Sequence, residues 1–72
     1  MCYYQRLRDL REDADKNQNE VAAYLGMKQT QYSRYERGER ELPMHHFIAL
    51  ARYYNVSLDY LAGIIDKPRK LV

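Results

Sequence analysis

Gln18-Asn-Glu-Val-Ala-Ala-Tyr-Leu-Gly26-Met-Lys-Gln-Thr-Gln-Tyr-Ser-Arg-Tyr-Glu-Arg-Gly38 reads as a helix that stops at a glycine, a short turn, and a second helix that stops at another glycine. Asn17, just ahead of it, offers a side-chain oxygen to the free N–H groups of a helix start. Glu20, three residues on, completes a capping-box pattern. The first of the two helices carries Val21, Ala22 and Leu25 and ends at Gly26, where a left-handed backbone meets no Cβ clash. The second runs from Lys28 or Gln29 to Arg37 and ends at Gly38 by the same logic.

Working outward, apolar residues recur at helical spacing on both sides and no alternating strand pattern interrupts them. Tyr3/Tyr4, Leu7, Leu10 and Ala14 form a stripe that predicts a first helix from about Tyr3 to Ala14. Beyond Gly38, the segment Glu39 to Pro43 is a connector, and Pro43 suits the first turn of a fourth helix. That helix presents Met44, Phe47, Ile48, Leu50, Ala51 and Tyr54 and should end near Asn55. Ser57 caps a short fifth helix with Leu58, Tyr60, Leu61 and Ala62, closed by Gly63, and the tail from Asp66 to Lys70 reads as extended or frayed. The expectation is an all-α fold: a compact bundle of four to five short helices.

Seventy-two residues make one domain, and a chain of this size buries only about 60% of the surface that it exposes when unfolded. The single cysteine, Cys2, forms no internal disulfide, and four Cys/His ligands for a structural zinc cannot be assembled. No apolar run spans a bilayer and no signal-peptide pattern is present, so a soluble, cytoplasmic protein without membrane association is expected. A net charge of +2 decides nothing about partners. Lys28, Arg34, Arg37 and Arg40 are interspersed with Glu36 and Glu39, so a basic face has to come from geometry.

A helical wheel supplies that geometry. At 3.6 residues per turn, Tyr32, Tyr35 and Glu36 fall on one side of the third helix. Thr30, Ser33, Arg34 and Arg37 fall on the other, with Gln29 at the N-terminal tip. The first side can pack on the second helix through the small Ala22. Any one of the polar residues would be explained by exposure to water. Together they are groups that pair with base edges in a DNA major groove: Gln29 bidentate to adenine, Arg34 to guanine, Thr30 and Ser33 to an acceptor or a thymine methyl.

The chain resembles the lambda-repressor/Cro-like, or XRE-type, helix-turn-helix family. The resemblance runs from Leu7 to Leu61. It is carried by Leu7-Arg8-Asp9-Leu10-Arg11, Gln18 with Ala22, Leu25-Gly26, Gln29, Ser33-Arg34-Tyr35-Glu36-Arg37-Gly38 and Asn55-Val-Ser-Leu-Asp-Tyr-Leu61. It implies a DNA-binding domain at 7–61 with a C-terminal extension at 62–72, and sequence-specific binding in transcriptional control, as a repressor. It also implies a double-stranded, near-palindromic operator bound by a homodimer.

By the same resemblance, Gln29, Thr30, Ser33 and Arg34 are base-contacting. Arg11, Gln18, Lys28, Gln31, Arg37 and Arg40 are backbone-contacting, and Arg11 pairs with Glu36. Some four phosphate contacts per subunit would give a log–log salt slope near −4. Three positions depart from the family: Lys28 stands where Ser or Thr usually caps the third helix, Tyr32 replaces a β-branched aliphatic residue, and Asp15-Lys16 replaces Gly-Leu.

Other features carry less. His45 and His46 are adjacent on a helix and diverge by about 100°, which disfavours a shared metal. Tyr24, Tyr32, Tyr35, Tyr54 and Tyr60 read as core bulk with a wet hydroxyl. No nucleophile–base–orienter set and no phosphate-cradling loop is legible, so neither catalysis nor a cofactor is expected. Ile64, Ile65, Leu71 and Val72 are less easily absorbed by so small a core: either they pack beneath the first and fifth helices or they form part of a dimer interface, and dimerisation through the Val56–Ile65 region is the expectation. An antitoxin-like or adaptor module holding a protein partner is the alternative.

Overall fold

The computed structural model describes residues 3–70 and contains five helices, with no strand among the described residues. In chain order they are α1 (Tyr3–Asp13), α2 (Gln18–Leu25), α3 (Gln29–Glu36), α4 (Met44–Tyr54) and α5 (Leu58–Leu61). Local chemistry sets their ends. At the start of α2 the Glu20 N–H donates to Asn17 Oδ1 at 2.9 Å, and the Asn17 N–H donates to Glu20 Oε1 at 3.2 Å, closing the capping box. Ser57 caps α5 by accepting the Tyr60 N–H at 3.2 Å. Asn55 closes α4 in the left-handed region at φ 54°. Lys28 precedes α3 without a side-chain cap, as its substitution for Ser or Thr requires.

Leu7, Val21, Tyr32, Leu50 and Leu61 are fully buried, and Ala22, Ala51, Tyr35, Leu42 and Val56 complete the core around them. Each helix contributes, so burying these side chains fixes all five at once, at roughly 25 cal/mol for each Å² of apolar surface removed from water. Tyr32, where the family pattern has a smaller residue, is fully buried in the same core cluster as Val21 and Ala22 of α2. Asp15 adopts φ 58°, the backbone that the family's usual glycine supplies at no cost.

Several expected positions differ. Ala14 lies past the end of α1 and is exposed, because the chain has already turned toward Asp15. Met44 (65% exposed), Ile48 and Leu58 lie on the surface rather than in the core, and Ile64 is 74% exposed. Tyr32 and Tyr54 do not keep wet hydroxyls: both oxygens are buried without a hydrogen-bond partner among the described residues. Burial, reinforced at Tyr32 by the Glu36 carboxylate, pushes both phenols far above their ordinary range. Tyr24, by contrast, is about half exposed, stacks on Tyr53 at 4.3 Å and donates its hydroxyl to the Ala49 carbonyl.

The segment after α5 folds back. The Arg6 guanidinium is buried, donates to the carbonyls of Tyr60 and Ile65, and sits 4.0 Å over the Tyr60 ring. The Ser57 N–H donates to the Arg69 carbonyl at 2.7 Å. Cys2, Leu71 and Val72 lie outside the described residues.

Candidate nucleic-acid interface

Two features of α3 separate its faces. Tyr32, Tyr35 and Glu36 are buried against the bundle, while Gln29, Thr30, Ser33, Arg34 and Arg37 line one open, polar concavity on the opposite side. Thr30 and Arg34 are exposed; Gln29 and Ser33 are half-buried at its walls. Lys28, Gln31 and Arg40 are exposed around this face. Such a surface offers donors and acceptors on a rigid helix with no apolar residue to desolvate.

A chain of polar contacts ties that face to the interior. Arg11 grips Glu36 with two parallel bonds, Nε to Oε2 at 2.7 Å and Nη2 to Oε1 at 3.2 Å, and donates Nη1 to the Lys16 carbonyl at 3.0 Å. The two side chains are 13% and 3% exposed. The hydrogen bond to Glu36 raises the Arg11 guanidinium above its ordinary value, against the opposing effect of burial. Gln18 Nε2 donates to Glu36 Oε1 at 3.1 Å, and Gln29 Nε2 donates to Gln18 Oε1.

This network changes two expected roles. Arg11 is turned inward and commits three of its five N–H groups to the fold, which leaves two for a phosphate. Gln18 spends its carbonyl and one N–H on its neighbours, leaving a second N–H for a phosphate. Arg37 also has a partner: its Nε lies 2.7 Å from Glu39, in a pair more than half exposed. Among the described residues no cluster of His, Cys, Asp or Glu is arranged to hold a metal ion, and no helix is long and apolar enough to cross a membrane.

Sequence reasoning missed the Gln18–Gln29 bond, because it depends on how α2 and α3 cross. It also missed Tyr3, whose hydroxyl accepts the Leu42 N–H at 3.1 Å and reaches the Arg40 carbonyl at 3.5 Å, fixing the connector that carries Arg40. Arg6 was legible in principle. It follows Tyr3 by three residues and precedes Leu10 by four, on the inward stripe of α1.

A sequence model of the helix-turn-helix family matches residues 7–61, the span that holds this face and its supports. The chain belongs to the XRE-type helix-turn-helix family. It is 36% identical over 66 residues to the uncharacterized HTH-type transcriptional regulator YobD of Bacillus subtilis (strain 168), covering 92% of this chain and 59% of that one. It is 37% identical over 70 residues to the HTH-type transcriptional regulator ImmR of the same organism, covering 97% and 55%. It is 34% identical over 58 residues to the cryptic phage CTXphi transcriptional repressor RstR of Vibrio cholerae, covering 81% and 52%. The chain thus spans a little over half the length of these curated relatives.

Among solved structures, the fold superimposes on the P22 c2 repressor in complex with a synthetic operator, with a TM-score of 0.78 and 25% identity, covering 88% of this chain and 96% of that one. A transcriptional regulator from Listeria innocua matches with a TM-score of 0.82 at 23% identity, covering 90% and 61%. This helix-turn-helix chain therefore shares its helical fold with both.

Proposed function

We propose that this chain is a sequence-specific DNA-binding transcriptional regulator, acting as a repressor in the cytoplasm, and that α3 enters the major groove of its operator. The observation that carries the reading is the shared outward concavity of Gln29, Thr30, Ser33, Arg34 and Arg37, on a helix whose other face is buried. Gln29 and Arg34 supply the two side-chain types that pair bidentately with adenine and guanine, and Thr30 and Ser33 adapt to either edge. Lys28, Gln31, Arg37, Arg40 and the spare N–H of Gln18 meet the phosphates. The relatives named as transcriptional regulators, and the operator complex of the P22 c2 repressor, support the same reading. Selection from a random-sequence duplex pool tests it: the pool should converge on one site, and a pool that stays random contradicts it.

The reading includes a homodimer on a near-palindromic operator, with half-sites about 34 Å apart, one helical turn of DNA. Val56 and Leu61 are buried in the core and unavailable for this contact. Within the region expected to dimerise, Leu58 and Ile64 remain, and Met44, Phe47 and Ala62 line the same apolar groove. The same groove favours a second reading, an antitoxin-like or adaptor module that holds an unlike protein. Sedimentation separates them: a dimer on operator DNA supports the regulator, and a monomer both free and on DNA defeats the dimer.

A further inference from the structure

Tyr3 and Tyr4 open α1, half-buried, ahead of residue 7 where the family match begins. The Tyr3 ring meets Phe47 edge-on at 5.0 Å and Tyr4 at 5.9 Å, which leaves its hydroxyl at the connector between α3 and α4. There one oxygen serves two backbone groups. It accepts the Leu42 N–H at 3.1 Å and donates, more weakly, to the Arg40 carbonyl at 3.5 Å. The Tyr4 ring lies against Gly38, 3.0 Å from where a Cβ would stand. The first turn of α1 thus touches the connector near both of its ends.

We infer that Tyr3 is a positioning residue for the phosphate contact of Arg40. The inference rests on the DNA-binding reading of α3 and its flanks. Residues 37–43 lie between α3 and α4. Their near end is tied down by the N–H groups of Gly38 and Glu39, which donate to the carbonyls of Tyr35 and Arg34. Their far end is anchored by the buried side chain of Leu42. Arg40 and Glu41, between these anchors, are exposed. A loop left free there would lose backbone entropy on meeting a phosphate. The Tyr3 hydroxyl, donating to Arg40 and accepting from Leu42, orders that stretch before DNA arrives, so less is lost on binding. A phenol suits the task because one atom both donates and accepts, at the end of a rigid ring. Phenylalanine would keep the ring against Phe47 and offer neither bond.

Tyr3→Phe is therefore the informative variant, with circular dichroism to show that it is folded at the assay temperature. Binding is titrated against the duplex recovered by selection and against a scrambled one. Because Arg40 is placed on the phosphates, both affinities should fall alike, by about fivefold. The same substitution in an Arg40→Ala background should lose less than about twofold further, since no contact remains to position. A purely structural role for the hydroxyl would lower the melting temperature without this dependence on Arg40. In the free wild-type protein the Leu42 amide should be protected from hydrogen exchange, and in Tyr3→Phe it should exchange faster.

Wild-type affinity in folded Tyr3→Phe would overturn the inference, as would an equal loss with and without Arg40. So would wild-type affinity in Arg40→Ala, or a Leu42 amide in the wild type that exchanges as fast as an open chain. Any of these, with the wild type still preferring the selected duplex, refutes the role of Tyr3 and leaves base reading by α3 standing. If the wild type binds selected and scrambled duplexes alike, the DNA-reading assignment itself is refuted, and this inference falls with it.

Discussion

Replacing Glu36 by alanine should damage the fold far more than replacing Glu39, although both are acids beside arginines on the same stretch of chain. The Glu36 side chain is 3% exposed, and its carboxylate accepts from Arg11 twice and from Gln18 once. Its loss strands a guanidinium that is 13% exposed and can recover little hydration. Breaking one partner of a buried pair costs about 3–5 kcal/mol, against a total stability of about 4–11 kcal/mol for a domain of this size. At about 4 °C or more per kcal/mol, the melting temperature should fall by at least about 12 °C. Glu39 pairs with Arg37 where the side chains are 53% and 57% exposed, so Glu39→Ala should cost at most about 1 kcal/mol. Replacing both members of the buried pair, as Arg11→Met/Glu36→Leu, should cost less than Glu36→Ala alone, because no unpaired charge remains. Thermal unfolding followed by circular dichroism reads all three. Equal melting temperatures for Glu36→Ala and Glu39→Ala would refute the reasoning.

Arg34→Ala should relax base preference, whereas Arg37→Ala should weaken binding evenly across sequences and reduce the salt slope by about 1; titrations of selected and scrambled duplexes at several salt concentrations distinguish them. With the Arg11 charge paired to Glu36, the exposed cations proposed to meet phosphate are Lys28, Arg37 and Arg40, so the slope per subunit should lie nearer about −3 than −4. Gly38→Ala should destabilise more than Gly26→Ala by urea unfolding. Both glycines have φ near +75°, which costs an L-residue about 1–2 kcal/mol, but a Cβ at Gly38 would also meet the Tyr4 ring at 3.0 Å while one at Gly26 meets nothing within 4 Å. Burial, with a smaller contribution from His45, lowers the His46 pKa below its ordinary value. The unfolded chain therefore binds the proton more readily, and stability should fall as pH drops below about 6.5; His46→Gln should flatten that part of a melting-temperature profile. At the alkaline end the raised phenols of Tyr32 and Tyr54 give stability that is full below about pH 10 and is lost as pH rises further.

What could be read in the sequence was mainly what is local. Asn17 with Glu20, Gly26, Gly38, Ser57 and Asn55 act within a few residues of themselves, so their roles follow from residue type and spacing. The two faces of α3 were equally legible, since a wheel needs only periodicity. Periodicity did not separate core from surface on α4: Met44 and Ile48 share the helical spacing of Leu50 and Ala51, and tertiary packing decides which are covered. The Arg11–Glu36 pair came from family resemblance, and its 25-residue separation gives it no local signature. The Gln18–Gln29 bond arises from a helix crossing, and the Tyr3 bracket on the connector and the Arg6 clasp on Ile65 from non-helical segments folding back on α1, which no single segment encodes.

The central claim is that the outer face of α3 meets DNA, and amide chemical-shift mapping on titration with the selected duplex tests it most directly. The largest changes should fall on Gln29, Thr30, Ser33, Arg34 and Arg37, with smaller ones at Gln18 and the Arg40 connector. Changes concentrated at Met44, Leu58 and Ile64, with α3 silent, would contradict it.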